Sequence, residues 1–331
     1  MTRWKHEAQV AVEAVRQAAI VCQAIQKELI PDQAVAKADK SPVTAADFAS
    51  QAVVCGRLTQ AFPDDPIVGE EAAAVLRTDE KKDLRQLILQ QVSSAMGQTC
   101  DEQEVLGWID RGQYVGGSTG RFWTLDPIDG TKGFLRRGQY AIALALIEDG
   151  QLVVGALGCP CLPDGQGNTG TLLLATKDAG VTKLSLQVGQ PVTSTLQARV
   201  STIADLRQAR ICESVESGHT DQDASNLIIQ ELGLQAEPVR MDSQAKYAVV
   251  ARGDAEIYLR LPRSRDYREK IWDHGAGAIS VMQAGGKVTD IEGRPLDFSQ
   301  GRELSDNLGV IATNGLIHDQ VLAAVRKHVK V

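Results

Sequence analysis

Apolar positions between residues 3 and 29 recur in steps of three and four, at Trp4, Ala8, Ala11, Val15, Ala18, Cys22, Ile25 and Leu29. That period builds one buried stripe, so the segment reads as an amphipathic helix, which Pro31 ends. Thr44 is placed to cap a second helix running to about Ala61, with Asp47 at its third position, where a capping-box carboxylate belongs. A short strand at Ile67–Val68 follows, then helical patterns over Leu84–Met96 and Glu102–Asp110, and a loop over 112–120. The apolar run from Phe122 to Leu125 reads as a buried strand. Pro127 cannot donate to a ladder and pushes Asp126 into an extended conformation, so this strand is expected to stop with Asp126 projecting from its end. Tyr140–Ile147 and Leu152–Gly158 are apolar strands joined by Glu148-Asp149-Gly150-Gln151, a strong hairpin signal. Strands at Thr171–Thr176 and Lys183–Val188 complete an antiparallel sheet.

From residue 198 strand and helix alternate, which predicts a mainly parallel sheet. The strands fall at Arg199–Thr202, Ala209–Cys212, Pro238–Met241, Glu256–Leu261, Lys287–Asp290 and Leu308–Ala312, the helices at Asp221–Leu232, Gln244–Arg252, His274–Ala284 and Ile317–His328. The fold class is therefore α/β, with an α+β half over 1–195 and an α/β half over 196–331.

Composition narrows the picture. A chain of 331 residues, 43% hydrophobic, can bury a full core. No apolar run approaches the roughly 20 residues that span a bilayer. The expectation is a monomeric cytoplasmic protein with no membrane partner, or an organellar one if a targeting segment is missing. The formal charge of −7 argues against binding a nucleic-acid polymer. An anionic small-molecule substrate must then find local positive charge. The six cysteines are scattered, as expected for thiols in a reducing compartment; only Cys159-Pro160-Cys161 is a close pair, open to redox or metal chemistry.

The densest chemistry is Trp123-Thr-Leu-Asp126-Pro-Ile128-Asp129-Gly130-Thr131. Two carboxylates and the Ile128 carbonyl can face one point, and hard oxygen ligands suit Mg²⁺. Gly130 permits a tight turn, and Thr131 opens a helix whose N–H groups can meet a phosphate. As turn and cap residues the two aspartates would need no metal. The whole string, however, resembles the signature of the lithium-sensitive, Mg²⁺-dependent phosphomonoesterases, the superfamily of inositol monophosphatase, fructose-1,6-bisphosphatase and the 3′(2′),5′-bisphosphate nucleotidases. The resemblance extends to Ser41-Pro-Val-Thr-Ala-Ala-Asp47, whose Asp would help activate the attacking water, and to Gly69-Glu70-Glu71, whose Glu70 would be a metal ligand. It also covers Trp272-Asp273 with its small-residue helix and Gly285-Gly286, and Asp273 would close the metal site. Gly275 stands where alanine is more usual. The implied fold is a layered αβαβα sandwich, and the implied cofactor two or three Mg²⁺.

Three further pieces point to one branch. They are Gly218-His219-Thr220, Asp242-Ser243-Gln-Ala-Lys246-Tyr247 and Tyr258-Leu-Arg260-Leu-Pro262. Ser243 reads as a helix N-cap, with Lys246 on its face. Alternation puts Ile257, Leu259 and Leu261 on one side of a strand and Tyr258 and Arg260 on the other. An arginine in an apolar strand needs an anion; a ligand phosphate is favoured, and an internal ion pair is the alternative. Together these pieces resemble the 3′(2′),5′-bisphosphate nucleotidases, in which the residues matching His219, Ser243, Lys246 and Arg260 hold the adenosine 5′-phosphate. The resemblance implies hydrolysis of 3′-phosphoadenosine 5′-phosphate, and of the corresponding phosphosulfate. The rivals are an inositol phosphate phosphatase on the same scaffold and a nucleotide sensor without catalysis.

Overall fold

The computed structural model describes residues 3–28, 35–36, 42–165, 167–187, 189–190, 196–215, 222–262 and 264–329. In chain order the first half contains α1 (Lys5–Glu28), β1 (Val35–Ala36), β2 (Pro42–Val43), α2 (Ala45–Ala61), β3 (Ile67–Gly69), α3 (Lys82–Met96) and α4 (Glu102–Asp110). It continues with β4 (Arg121–Asp129), α5 (Thr131–Leu135), β5 (Ala141–Glu148), β6 (Gln151–Pro163), β7 (Thr169–Thr176), β8 (Gly180–Ser185) and β9 (Gln197–Ala198). The second half adds β10 (Ile211–Glu213), α6 (Gln222–Leu232), β11 (Val239–Arg240), α7 (Ala245–Ala251) and β12 (Ile257–Arg260). It closes with α8 (Gly275–Gln283), β13 (Lys287–Thr289), β14 (Val310–Thr313) and α9 (His318–His328).

Strands β3 to β9 form a seven-stranded sheet in sequence order, with β3 parallel to β4 and the other pairs antiparallel. Its period-two pattern sorts side chains between two cores. Ile142, Leu144 and Leu146 of β5 face the cluster under α1 and α2. Ala141, Ala143, Ala145 and Ile147 face a second cluster shared with α7, α8 and the inner face of the other sheet. A third cluster lies beyond that sheet, under α6 and α9, and takes Ile257 and Leu259 of β12 and Leu261 just after it, while Tyr258 belongs to the second, as alternation predicts. The layers are thus helices, sheet, helices, sheet, helices, the expected αβαβα order.

Several local expectations hold for their stated reasons. The α1 stripe from Trp4 to Ile25 is buried in the first cluster, while Leu29 and Pro31 lie outside the described residues. Asp149 (φ 49°) and Gly150 (φ 74°) make a two-residue hairpin between β5 and β6.

Other expectations need correction. Strand β4 does not stop at Asp126 but runs to Asp129, with a bulge between Asp126 and Asp129 that absorbs the proline. Residues 199–202 do not form a strand. Val200 N–H donates to the Ala284 carbonyl at the end of α8, and Ser201 meets the Asn314 side chain, so no ladder is left to them. The second sheet, ordered β11-β10-β12-β14-β13, is mixed: β10 pairs parallel with β11 and β12, whereas β14 is antiparallel to β12 and β13. Parallel pairing needs a crossover helix, and the 290–309 connection supplies none.

Helix α8 comes close to its neighbours because its contact positions are small. A Cβ on Gly277 would lie 2.2 Å from the Tyr247 ring, and one on Gly155 would lie 2.3 Å from Ile279. Gly277→Ala is therefore expected to lower stability by roughly 1–3 kcal/mol, the usual cost of overpacking, as read from denaturant midpoints.

Candidate active site

The end of β4 and its bulge form the floor of the site. Parallel pairing sets Gly69 beside Leu125, and the Glu70 N–H donates to the Leu125 carbonyl at 3.3 Å, which brings Glu70 next to Asp126. Asp126 is buried, and its Oδ1 accepts the Ile128 N–H at 3.1 Å. The Gln51 side chain secures the Glu70–Glu71 turn: its Nε2 donates to the Glu71 carbonyl and its Oε1 accepts the Glu71 N–H. From the same helix, Ser50 Oγ donates to the Pro127 carbonyl at 2.8 Å. Neither Gln51 nor Ser50 announces this role in sequence, because each acts only after α2 has docked on β4.

Asp47 combines both of its expected duties. Its Oδ2 accepts from the Thr44 N–H at 2.8 Å and the Thr44 hydroxyl at 2.7 Å, completing the capping box. Its Oδ1 faces the Thr131 hydroxyl at 3.4 Å, and that hydroxyl also lies 3.3 Å from the Ile128 carbonyl. The capping bonds thus fix the carboxylate plane and leave one oxygen turned toward the β4 bulge. Gly130 adopts φ 85° between them, and a Cβ there would lie 2.9 Å from Ser243 Cβ.

The second half reaches the same point through α7 and the turn before α8. Ser243 is not the regular N-cap expected: it has φ 68°, Gln244 holds the cap position, and the Ser243 hydroxyl accepts from Ala245 N–H. The left-handed turn at Ser243 aims the Gln244 N–H at Asp129 Oδ2, 2.5 Å away, while Gln244 Nε2 donates to the Trp272 carbonyl at 3.0 Å. One residue therefore links Asp129 to the turn carrying Asp273.

Asp273 ends a single 3₁₀ turn, Ile271–Asp273, and His274 takes the N-cap position of α8. Burial raises the Asp273 carboxyl well above the ordinary range; Arg260 pulls it down, while Asp129, Glu269 and Glu70 push it further up. Glu70 and Asp129 thus both lie within electrostatic reach of Asp273. Asp126 is buried, and Glu70, Asp129 and Asp273 are half-buried. Among the described residues no three of these acids close to within 4.8 Å of one another, but with the Ile128 carbonyl they are hard oxygen donors of the type that fits Mg²⁺.

Lys246 is buried, its Nζ donating to the Met241 carbonyl at 3.3 Å and lying 5.3 Å from the Tyr258 ring centroid. Burial lowers its ammonium to about 8, against the pull of Asp129. Arg260 has the internal partner that the sequence left as the alternative: its Nε donates to Glu269 at 3.1 Å, and Nη2 lies 3.7 Å from Asp273 Oδ2. Glu269 in turn meets His274 Nε2 at 3.1 Å, and His274 Nδ1 meets the Tyr247 hydroxyl at 2.7 Å. Glu269, Asp273 and His274 come together as a possible ligand group. Arg260 and His274 already occupy both Glu269 oxygens, so this trio reads as a hydrogen-bonded brace. Glu269 and His274 were missed in sequence although they flank Asp273. His219 lies outside the described residues. Cys159 and Cys161 are free thiols on β6, and burial raises both.

A model of the inositol monophosphatase family matches residues 4–330. The chain is 43% identical to the 3′(2′),5′-bisphosphate nucleotidase of Emericella nidulans over 99% of both proteins. It is 44% identical to that of Schizosaccharomyces pombe over 96% of this chain and 94% of the other. Among solved structures it is similar to an IMPase of Thermotoga maritima, with a TM-score of 0.67, 21% identity and 98% of each chain covered. It also resembles the inositol monophosphatase of Anabaena, with a TM-score of 0.61, 22% identity and 99% and 98% coverage. These two likenesses bear out the expected fold.

Proposed function

The chain belongs to the inositol monophosphatase family, and on that premise we propose that it is a Mg²⁺-dependent phosphomonoesterase hydrolysing 3′-phosphoadenosine 5′-phosphate to AMP and phosphate, with 3′-phosphoadenosine 5′-phosphosulfate as a second substrate. The observation that carries this reading is a pair of cations beside the acids: Arg260 Nη2 lies 3.7 Å from Asp273 Oδ2, and the buried Lys246 is within electrostatic reach of Asp129. A substrate with two phosphates needs such a place for the one that is not cleaved. The near-full-length identity to relatives named bisphosphate nucleotidases favours this substrate over an inositol phosphate on the same scaffold.

Glu70, Asp126, the Ile128 carbonyl, Asp129 and Asp273 would hold the metal ions. When bound, Mg²⁺ supplies positive charge to the phosphoryl oxygens and the leaving 3′-oxygen. Asp47 Oδ1 and the Thr131 hydroxyl orient the attacking water, and Asp47 takes its proton. Gly130 and Thr131 face the phosphate. His219, Ser243, Lys246 and Arg260 hold the nucleotide so that its 3′-phosphate reaches the acids. No covalent nucleophile takes part. In this division of labour residues 1–195 bring most metal ligands, and 196–331 bring Asp273 and the nucleotide contacts. No helix among the described residues is long and apolar enough to cross a membrane.

Phosphate release over a panel of nucleotide and inositol phosphates, with and without Mg²⁺, tests this reading. Preference for the adenosine bisphosphate is expected; preference for an inositol phosphate would move the assignment to the rival enzyme, and binding without release would leave a sensor. The Lys246 charge adds a pH signature. Its ammonium is fully charged well below about 8 and is lost as pH rises through that value. KM for the bisphosphate is expected to climb there by up to about tenfold per pH unit, with KM for 3′-AMP flat and the dependence absent in Lys246→Met.

A further inference from the structure

Arg302 is not among the groups assigned above, yet it touches both sides of the site. Its Nη2 donates to the Gly69 carbonyl at 2.6 Å, and Nη1 donates to the carbonyls of Gly112 at 3.1 Å and Tyr114 at 2.9 Å. Gly69 immediately precedes Glu70, and its own N–H donates to Gly112 at 2.7 Å. The guanidinium carbon lies 4.8 Å from the ring centroid of Trp272, the residue before Asp273. The Arg302 backbone completes the tie, since its carbonyl accepts the Ile271 N–H at 3.2 Å and the next residues bridge Lys270 to Glu303.

A half-buried guanidinium is costly to desolvate, and among the described residues Arg302 forms no ion pair that would compensate. Its donors go instead to three carbonyls of one half of the molecule, while its π-face and backbone bind the other half. Planar, forked donors are what such a junction requires; an ammonium could serve only part of it.

We propose that Arg302 is a positioning residue for the metal site, holding Glu70 of the first half and Asp273 of the second in register so that both can serve the same cation. The inference rests on the reading of Glu70 and Asp273 as ligands, and it concerns the junction rather than the chemistry. Groups that orient metal ligands commonly change affinity by about 10–100-fold when removed.

The test is binding of Mn²⁺ alone, a hard-ligand substitute for Mg²⁺, followed by its electron paramagnetic resonance signal in the full chain without nucleotide. Arg302→Met keeps the stem beside Trp272 and removes all three donations. It is expected to weaken Mn²⁺ binding about tenfold or more, raise the Mg²⁺ concentration for half-maximal activity in parallel, and leave AMP binding within about twofold. Arg210→Met, which strips the buried Glu256 of its ion pair at a place away from the acids, is expected to lower Tm without moving Mn²⁺ affinity. Should the methionine variant not fold, Arg302→Lys reads the same quantity, with an intermediate loss expected. Wild-type Mn²⁺ affinity in whichever variant folds overturns the positioning role while leaving the metal site intact. Absence of Mn²⁺ binding in the unaltered protein removes the metal reading and this inference with it.

Discussion

Asp126→Asn is expected to cut phosphate release from the adenosine bisphosphate by about 10²–10³-fold, while the protein stays folded and still binds nucleotide. The magnitude corresponds to roughly 3–4 kcal/mol of lost electrostatic stabilisation in a site of this type. The substitution is nearly isosteric, and the bond in which Oδ1 accepts the Ile128 N–H can be kept by the asparagine carbonyl. The β4 bulge should therefore survive. What disappears is a buried negative charge next to Glu70, in a site where repulsion already pushes Asp273 upward. In metal-free buffer the variant should be as stable as the wild type or more so, and Mg²⁺ should raise its Tm less. Steady-state phosphate release and melting curves with and without Mg²⁺ measure both effects. Near-normal turnover would remove Asp126 from the catalytic set.

How much of this was legible in the sequence follows from the range over which each signal acts. The α1 stripe, the Thr44–Asp47 capping box and the Asp149-Gly150 hairpin are local, and the structure has each where the pattern predicts it. Alternation in β12 was also readable, because burial of both sheet faces leaves Tyr258 and Ile257 in different cores. The second sheet is mixed rather than mainly parallel because strand direction depends on whether a connection carries a helix, and the 290–309 segment between β13 and β14 carries none. Residues 199–202 have strand-like composition, but their partners are a helix end and an asparagine far along the chain. In the site, each acid sits in a short motif that can be read locally: Asp126 and Asp129 in residues 123–131, and Asp47, Glu70 and Asp273 in three others. Gln51, Gln244, Glu269 and Arg302 could not, for each gains its meaning from a contact that exists only once the layers are stacked. The one available hint was Glu269 and His274 flanking Asp273, polar residues bracketing an otherwise apolar Ile-Trp pair.

Arg260→Ala separates the binding and structural uses of one buried charge. Removing the guanidinium leaves Glu269, whose side chain is 5% exposed, with His274 as its one side-chain partner among the described residues, and breaking such a pair typically costs about 3–5 kcal/mol. The pH dependence gives this a sign. Burial alone would raise the Glu269 carboxyl, but Arg260 and His274 bring it from its ordinary 4.5 to about 2. A depressed carboxyl contributes stability above its unfolded value, here about 3 kcal/mol, and loses it as pH falls from about 4.5 through about 2. Without Arg260 that carboxyl rises, so the variant should begin to lose stability at a higher pH than the wild type. Adding Glu269→Gln should recover part of the loss, since the amide carries no charge to strand. Activity adds an independent measure. If Arg260 also meets the 5′-phosphate, KM for the bisphosphate should rise at least tenfold while KM for 3′-AMP changes little, since only the former carries the group that the guanidinium would hold. Equal losses on the two substrates would mean that Arg260 acts through Glu269 and Asp273 alone, bracing the wall of the site without touching the nucleotide.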